Sequence, residues 1–192
     1  MAQSEGLPPH FYALRQAIGV LPGVAVCALL ANIDYRRLQA AAWPLLGLSI
    51  LLLLLVIMPG TEAIAPRVNG ARRWIRLGFT LQPSELAKLS LIIWTAALAV
   101  KKQERLHSLR KGLAPFLLVW LFVLVPVVLQ PNFSAALLLA LLAALVLFAG
   151  GARIGHIILL GIVAVPVVWN QVAGADYRLK RVVAFLDPSA DP

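Results

Sequence analysis

The 192-residue chain is 61% apolar and 13% charged, with a mean hydropathy of +0.88. Soluble domains run at about 45–50% and about 25%, so an ordinary soluble globule is excluded in favour of membrane spans. The net charge of +9 would suggest nucleic acid in a soluble chain, but in a membrane protein it points to lipid head groups or a lipid-borne phosphate.

The first residues, 1–15, are polar and Pro-containing, without the basic start and small-residue cleavage site of a secretory signal. A first span is expected over 16–33, interrupted by Gly19, Pro22 and Gly23; such breaks are tolerated in membrane helices. Its Cys27 is the only cysteine, which excludes a disulfide framework or thiolate metal site within one chain. Asp34-Tyr35-Arg36-Arg37 reads as a short charged turn into a second span, 38–58. Residues 59–81 form a charged loop with an amphipathic piece at Trp74-Ile75. A third span is expected at 84–100, the most basic loop at 101–111, and a fourth span at 113–129. Gln130-Pro131-Asn132 makes a tight reversal into a fifth span, 133–149. Gly150-Gly151-Ala152-Arg153 turns into a sixth, 154–169, and a polar tail follows. The fold class expected is an all-α polytopic membrane protein, with residues 1–192 as a single integral membrane domain.

Basic loops set orientation. Residues 101–111 carry five Lys or Arg and are expected inside, with Arg36, Arg37 and Arg153 on the same side. The amino terminus, 59–81 and the tail then fall outside. Those outer segments still hold Arg67, Arg72, Arg73, Arg76, Arg178, Lys180 and Arg181. Cations on the disfavoured side need another explanation, and a bound anion is the simplest. An outer amino terminus without a signal also suggests a missing preceding span.

The chain is organised around residues 69–88, NGARRWIRLGFTLQPSELAK. Arg72, Arg73 and Arg76 crowd around Trp74. They can snorkel to lipid phosphates or bind a pyrophosphate, since guanidinium stays charged and grips phosphate in bidentate fashion. Trp74 reads as an interfacial anchor or as a stacking surface for a sugar. Glu85 and Lys88 are three apart and share a helix face. They are either a structural salt bridge or a phosphate-binding Lys oriented by a Glu. Asn132 reads as the N-cap of the fifth span, and His156 as an interfacial residue. Tyr177–Arg181 is a solvated basic loop, or it places Arg178 and Arg181 beside the earlier arginines. No metal-ligand cluster, nucleotide-type Gly loop or nucleophile triad is visible in the sequence.

The segments NGARRWIRLG, QPSELAKL, QPNFSAA and YRLKRVVAFLDPSADP occur in the order seen in the shape, elongation, division and sporulation (SEDS) proteins. The chain resembles this FtsW/RodA family of peptidoglycan glycosyltransferases from about Phe11 onward. DYRRL, QPSELAKL and YRLKR look more like the FtsW cell-division branch than RodA. The resemblance implies a ten-span fold of which this chain matches the second to seventh spans. It would then be truncated at both ends, lacking a first span, the large outer loop and the last spans.

The resemblance further implies a multi-pass protein of the bacterial inner membrane. It would polymerise lipid II, displace undecaprenyl pyrophosphate, and work beside a penicillin-binding transpeptidase and other division proteins, with no nucleic-acid partner. Arg72, Arg73, Trp74, Glu85, Lys88, Arg178 and Arg181 would line the lipid-pyrophosphate cavity. The catalytic base would lie downstream of Pro192, so this chain alone is expected to be inactive. No cofactor is indicated. One departure is Asn132, where many members have Asp; it keeps the cap geometry and loses the charge. Two other roles remain open: a lipid II flippase, and a non-catalytic scaffold of the division machinery. The scaffold would not require the outer arginines. Arg73 is the arginine expected to matter most, and Arg67, lying before the motif, the least.

Overall fold

A computed structural model describes residues 11–68, 70–76 and 80–173. It contains six helices, α1 (Phe11–Ala31), α2 (Tyr35–Ile57), α3 (Pro83–Lys101), α4 (Ala114–Leu129), α5 (Phe133–Ala149) and α6 (Ile154–Ala173). A helix lies at the position of every expected span. The first two helices start earlier than the apolar runs do, because a helix can continue past the apolar stretch that spans the membrane. Among the described residues three segments are long and apolar enough to cross a bilayer: Tyr35–Ile57, Pro83–Lys101 and Leu109–Leu129. At 17 residues, α5 is close to the roughly 17-residue lower limit.

By its internal contacts the chain divides into residues 1–41 and 42–192. In the first unit, α1 carries Pro22 and ends where Asn32 Nδ2 donates to the Ala28 carbonyl at 2.7 Å. Asp34 then starts α2: its Oδ1 accepts from Arg36 N at 2.9 Å and its carbonyl accepts from Arg37 N at 2.9 Å. This is N-cap chemistry, so the charged turn is tighter than its composition suggests and Tyr35 is already helical.

In the second unit the main packing is α3 against α5, with α4 against both and α6 on the outside of α5. Small residues permit this. Ala87, Ala99, Ala136 and Ala143 are all buried, and close approach of helices in lipid depends on such side chains because apolar burial provides little drive there. A Cβ on Gly150 would lie 2.9 Å from Ala99 Cβ, so the last turns of α3 and α5 sit together and the two helices run parallel. Trp94 fills the centre, edge-to-face with Trp43 at 5.4 Å and with Phe116 at 5.9 Å. Polar groups bridge the helices: Ser90 Oγ lies 2.9 Å from Ser49 Oγ, and Trp120 Nε1 donates to Thr95 Oγ1 at 3.1 Å. The outer surface is apolar. Leu118, Phe122, Leu141 and Ile162 are each more than half exposed, which suits acyl chains and would be an aggregation surface in water. The protein is an all-α polytopic membrane protein.

The loops fall into two ends. At one end lies the 58–82 loop with the Gln130-Pro131 turn, tied together by Arg73. At the other lie residues 102–113 and the Gly150–Ala152 turn. The 102–113 stretch winds through a 3-10 turn (Gln103–Arg105) and a π turn (Leu109–Leu113) that runs directly into α4.

Candidate functional site

The 58–82 loop has its own small core, in which Val56, Ala65 and Ile75 are buried against Leu52, Leu55 and Leu81. Strand β1 (Ile75–Arg76) pairs antiparallel with β2 (Thr80–Leu81), Ile75 opposite Leu81 and Arg76 opposite Thr80. The expected amphipathic piece is thus a strand. Side chains alternate across it, which buries Ile75 and leaves Arg76 exposed. Arg76 N also donates to the Ile64 carbonyl at 2.8 Å. A tight turn closes where Val68 and Ala71 exchange backbone hydrogen bonds. Gly70 within it has φ +77, a conformation that a side chain would strain.

The three arginines of the motif do different things. Arg72 is a tie inside the loop. Its Nε donates to Ala65 O (3.1 Å), its Nη1 to Met58 O (3.2 Å) and Glu62 Oε1 (3.2 Å), and its Nη2 to Thr61 Oγ1 (2.7 Å). Its side chain is 12% exposed, and of the five guanidinium N–H donors one on Nη2 is left over. Arg73 reaches across the bundle end. Its Nε donates to Gln130 O at 3.3 Å and its Nη2 to Pro131 O, which leaves both Nη1 donors and one on Nη2. Gln130 Nε2 in turn donates to Leu53 O on α2 at 3.0 Å. The loop, the α4–α5 turn and α2 are therefore linked through one arginine and one glutamine. Arg76 makes no side-chain bond among the described residues.

Glu85 and Lys88 form the pair that their spacing suggests, with Nζ 2.6 Å from Oε2. They occupy the first turns of α3, where Glu85 also favours the positive end of the helix dipole. Lys88 is 24% exposed on its side chain and keeps two ammonium donors beyond this pair. Trp74 is half-buried between Arg73 and Ile75. Arg178 and Arg181 lie outside the described residues.

Asn132 is at the N-cap position of α5, but its side chain makes no capping bond. Its ψ of 57° departs from the extended values from which a cap side chain reaches the N2 or N3 amide. Its Nδ2 is buried without a partner, as are Ser84 Oγ, Gln130 Oε1 and His156 Nδ1.

A cleft of ≈ 290 Å³ opens beside the loop, lined by Val56, Ile57, Arg67, Gly70, Arg72, Leu129, Gln130 and Pro131. Arg67 is exposed and has no hydrogen bond or ion pair among the described residues. Sequence reasoning ranks Arg67 last among the outer arginines, yet its side chain is the one on this cleft whose charge is unanswered. Glu62 and Gln130 were also missed as partners. The signal for Glu62 was available: it is the lone acidic residue in an otherwise basic loop.

In chemical terms this end of the molecule can bind and orient anions. Glu62 and Glu85 are its described carboxylates and both are ion-paired. Among the described residues no three His, Cys, Asp or Glu gather as metal ligands.

Comparison with known proteins bears on the fold and the family. The model of a family described as cell cycle protein, grouping FtsW, RodA and SpoVE, matches residues 2–192. The chain is 43% identical over 183 residues to a probable peptidoglycan glycosyltransferase FtsW of Trichlorobacter lovleyi, covering 95% of this chain and 47% of that protein. A chain of a solved peptidoglycan synthase complex that coordinates polymerization and crosslinking is similar with a TM-score of 0.72 and 32% identity, over 93% of this chain and 52% of that one. The rod shape determining protein RodA of Thermus thermophilus is similar with a TM-score of 0.66 and 30% identity, over 87% of this chain and 53% of that one. The chain spans about half the length of the curated relatives it matches. It belongs to the FtsW/RodA/SpoVE family of cell cycle proteins.

Proposed function

We propose that this chain supplies the substrate-positioning part of a peptidoglycan glycosyltransferase that polymerises lipid II at the outer face of the bacterial inner membrane during cell division. The observation that carries this reading is the cation set at one end of the bundle. Lys88 is fixed beside Glu85 at 2.6 Å, and Arg73 is anchored to the α4–α5 turn while keeping donors free. The similarity to a probable peptidoglycan glycosyltransferase supports the reaction class. The similarity to a chain of a peptidoglycan synthase complex supports a transpeptidase of the penicillin-binding kind as partner.

In this reaction the 4-hydroxyl of one lipid-linked sugar attacks the anomeric carbon of another. The bond from that carbon to the pyrophosphate oxygen breaks, and its electron pair leaves with undecaprenyl pyrophosphate. The hydroxyl proton passes to a carboxylate base, which we assign to the part of the relatives' length that this chain does not span. Lys88 and the free edge of Arg73 stabilise the charge growing on the leaving group. Glu85 keeps Lys88 aimed. Arg72 acts at one remove, by holding the loop. Trp74 borders the sugar, and Arg178 and Arg181 are assigned to the same anion.

The test is lipid II polymerisation in detergent by a protein of the relatives' full length carrying this segment, at matched protein levels. Lys88→Ala should lower the rate roughly 10- to 150-fold, the equivalent of one lost charge-assisted hydrogen bond of about 1.5–3 kcal/mol. Lys88→Arg should recover part of it. Polymer formed without a bilayer separates a polymerase from a flippase. Wild-type rates for Lys88→Ala would remove Lys88 from the site.

A further inference from the structure

We propose that the cleft between the 58–82 loop and the α4–α5 turn is a binding site for a glycerophospholipid head group with a singly charged phosphodiester and a hydrogen-bond donor, phosphatidylglycerol being the fitting example. This site is separate from the Lys88–Glu85 pair, whose residues do not line the cleft.

The charge count selects a single phosphate. Of the two arginines on the cleft, Arg72 is offset by Glu62 at 3.2 Å. Arg67 has no partner among the described residues, so its charge is the unanswered one on the described lining. A phosphodiester monoanion matches that one charge. Arg67 can grip two phosphate oxygens with its own planar fork, and the spare Nη2 donor of Arg72 adds one further hydrogen bond.

Gln130 selects the donor. It lines the cleft and is 2% exposed. Its Nε2 is fixed on Leu53 O at 3.0 Å, while its Oε1 has no partner. A buried acceptor without a donor is costly, and a head-group hydroxyl beside the phosphate answers it. The cleft's other wall is apolar, formed by Val56, Ile57 and Leu129. Leu129 is 63% exposed at the end of α4, continuous with the apolar surface along which acyl chains lie. Gly70 leaves open space on the polar side, with no atom within 4 Å of where a Cβ would stand. The volume of ≈ 290 Å³ is at the small end of ligand pockets, about 300–1,000 Å³, and suits a head group rather than a whole lipid.

The test is native mass spectrometry of the 192-residue chain in detergent, titrated separately with short-chain phosphatidylglycerol and phosphatidylmethanol. These two lipids have the same phosphodiester charge, and only the first has a free hydroxyl. Phosphatidylglycerol should bind more tightly. Arg67→Ala should weaken it by about tenfold or more, and Arg67→Lys should restore part of the loss. Gln130→Leu should erase the preference between the two lipids. Because Gln130→Leu also loses the bond to Leu53, the wild-type preference is the reading that stands if this variant fails to fold. Equal binding of both lipids by the wild type, or no effect of Arg67→Ala, would overturn the proposal. So would Arg67-dependent displacement of phosphatidylglycerol by undecaprenyl pyrophosphate, which would assign the cleft to the substrate. Wild-type lipid binding by Lys88→Ala is expected whatever that variant does to polymerisation, so failure here and failure of the glycosyltransferase reading are distinguishable.

Discussion

The two ends of the second unit are both basic, and they use their cations in opposite ways. At the 58–82 end, Arg72 and Arg73 donate to backbone carbonyls, a hydroxyl and a carboxylate, and the loop is held against α2 and the α4–α5 turn. At the 102–113 end, the side chains of Lys101, Lys102, Arg105, Arg110 and Lys111 make no hydrogen bond or ion pair among the described residues, and all but Lys102 are exposed. That end is shaped by backbone contacts and by burial of Leu106 and Leu113 at 1% exposure each. Cations of the first kind are architecture. Cations of the second kind interact with what lies outside the protein, which in a membrane means the head-group surface. Charge counts alone treat the two as equal.

The sharpest way to break this comparison is Arg72→Ala. Four hydrogen bonds from one guanidinium are lost, one of them to a carboxylate, and the side chain is only 12% exposed. A cost of about 3 kcal/mol is expected, concentrated in the loop rather than the helices. Arg72→Lys should recover little, because an ammonium lacks the planar fork. Amide hydrogen exchange at Ala65 and Arg76, the latter bonded to Ile64, should accelerate sharply while exchange in α3 and α5 stays slow. Unchanged exchange in the loop would mean that its small core, not Arg72, holds it.

Much of the fold was legible in the sequence. Long uncharged runs gave the spans, because nothing else places so many apolar residues in a row, and Glu85-x-x-Lys88 gave its ion pair from helical spacing alone. What stayed hidden depended on distant partners. No local pattern says that Arg73 meets carbonyls 57 and 58 residues away, or that Glu62 answers Arg72 rather than solvent. Asn132 was read as a side-chain cap from its residue type, and its backbone angle decided otherwise. Arg67 was set aside because it precedes the motif. The structure puts it on one cleft with Gln130.

At the opposite end, the expected weak point is a glycine. A Cβ on Gly112 would stand 2.1 Å from the Arg105 carbonyl oxygen and 2.9 Å from Leu106 Cα. Both obstacles are backbone, so the 3-10 turn has to move away from the π turn. Gly112→Ala should cost about 1–3 kcal/mol and lower the detergent melting temperature. Gly47→Ala is the control, since nothing lies within 4 Å of its would-be Cβ. Equal melting of the two variants would show that the 102–113 end gives way freely.

The smallest expected effect on stability comes from the cations whose side chains make no hydrogen bond or ion pair among the described residues. Changing Lys101, Arg110 and Lys111 together to Gln should shift stability by no more than about 0.5 kcal/mol per site, the usual range for surface substitutions. It should still be felt in the membrane, where each Lys or Arg near an anionic surface is worth about 1 kcal/mol and sets which loops stay inside. The measurement is labelling of His107→Cys in a Cys27→Ser background by an impermeant thiol reagent in intact cells. With the five cations in place, position 107 should label only after permeabilisation. With three neutralised, a fraction should label in intact cells while the melting temperature is unchanged. Neutralising Arg73 should give the reverse, a loosened loop and an unaltered orientation, because that guanidinium is bonded to protein carbonyls. Labelling of position 107 in intact cells without any charge removed would invert the assigned orientation. It would place the 58–82 loop, and the site built on it, on the inner side of the membrane.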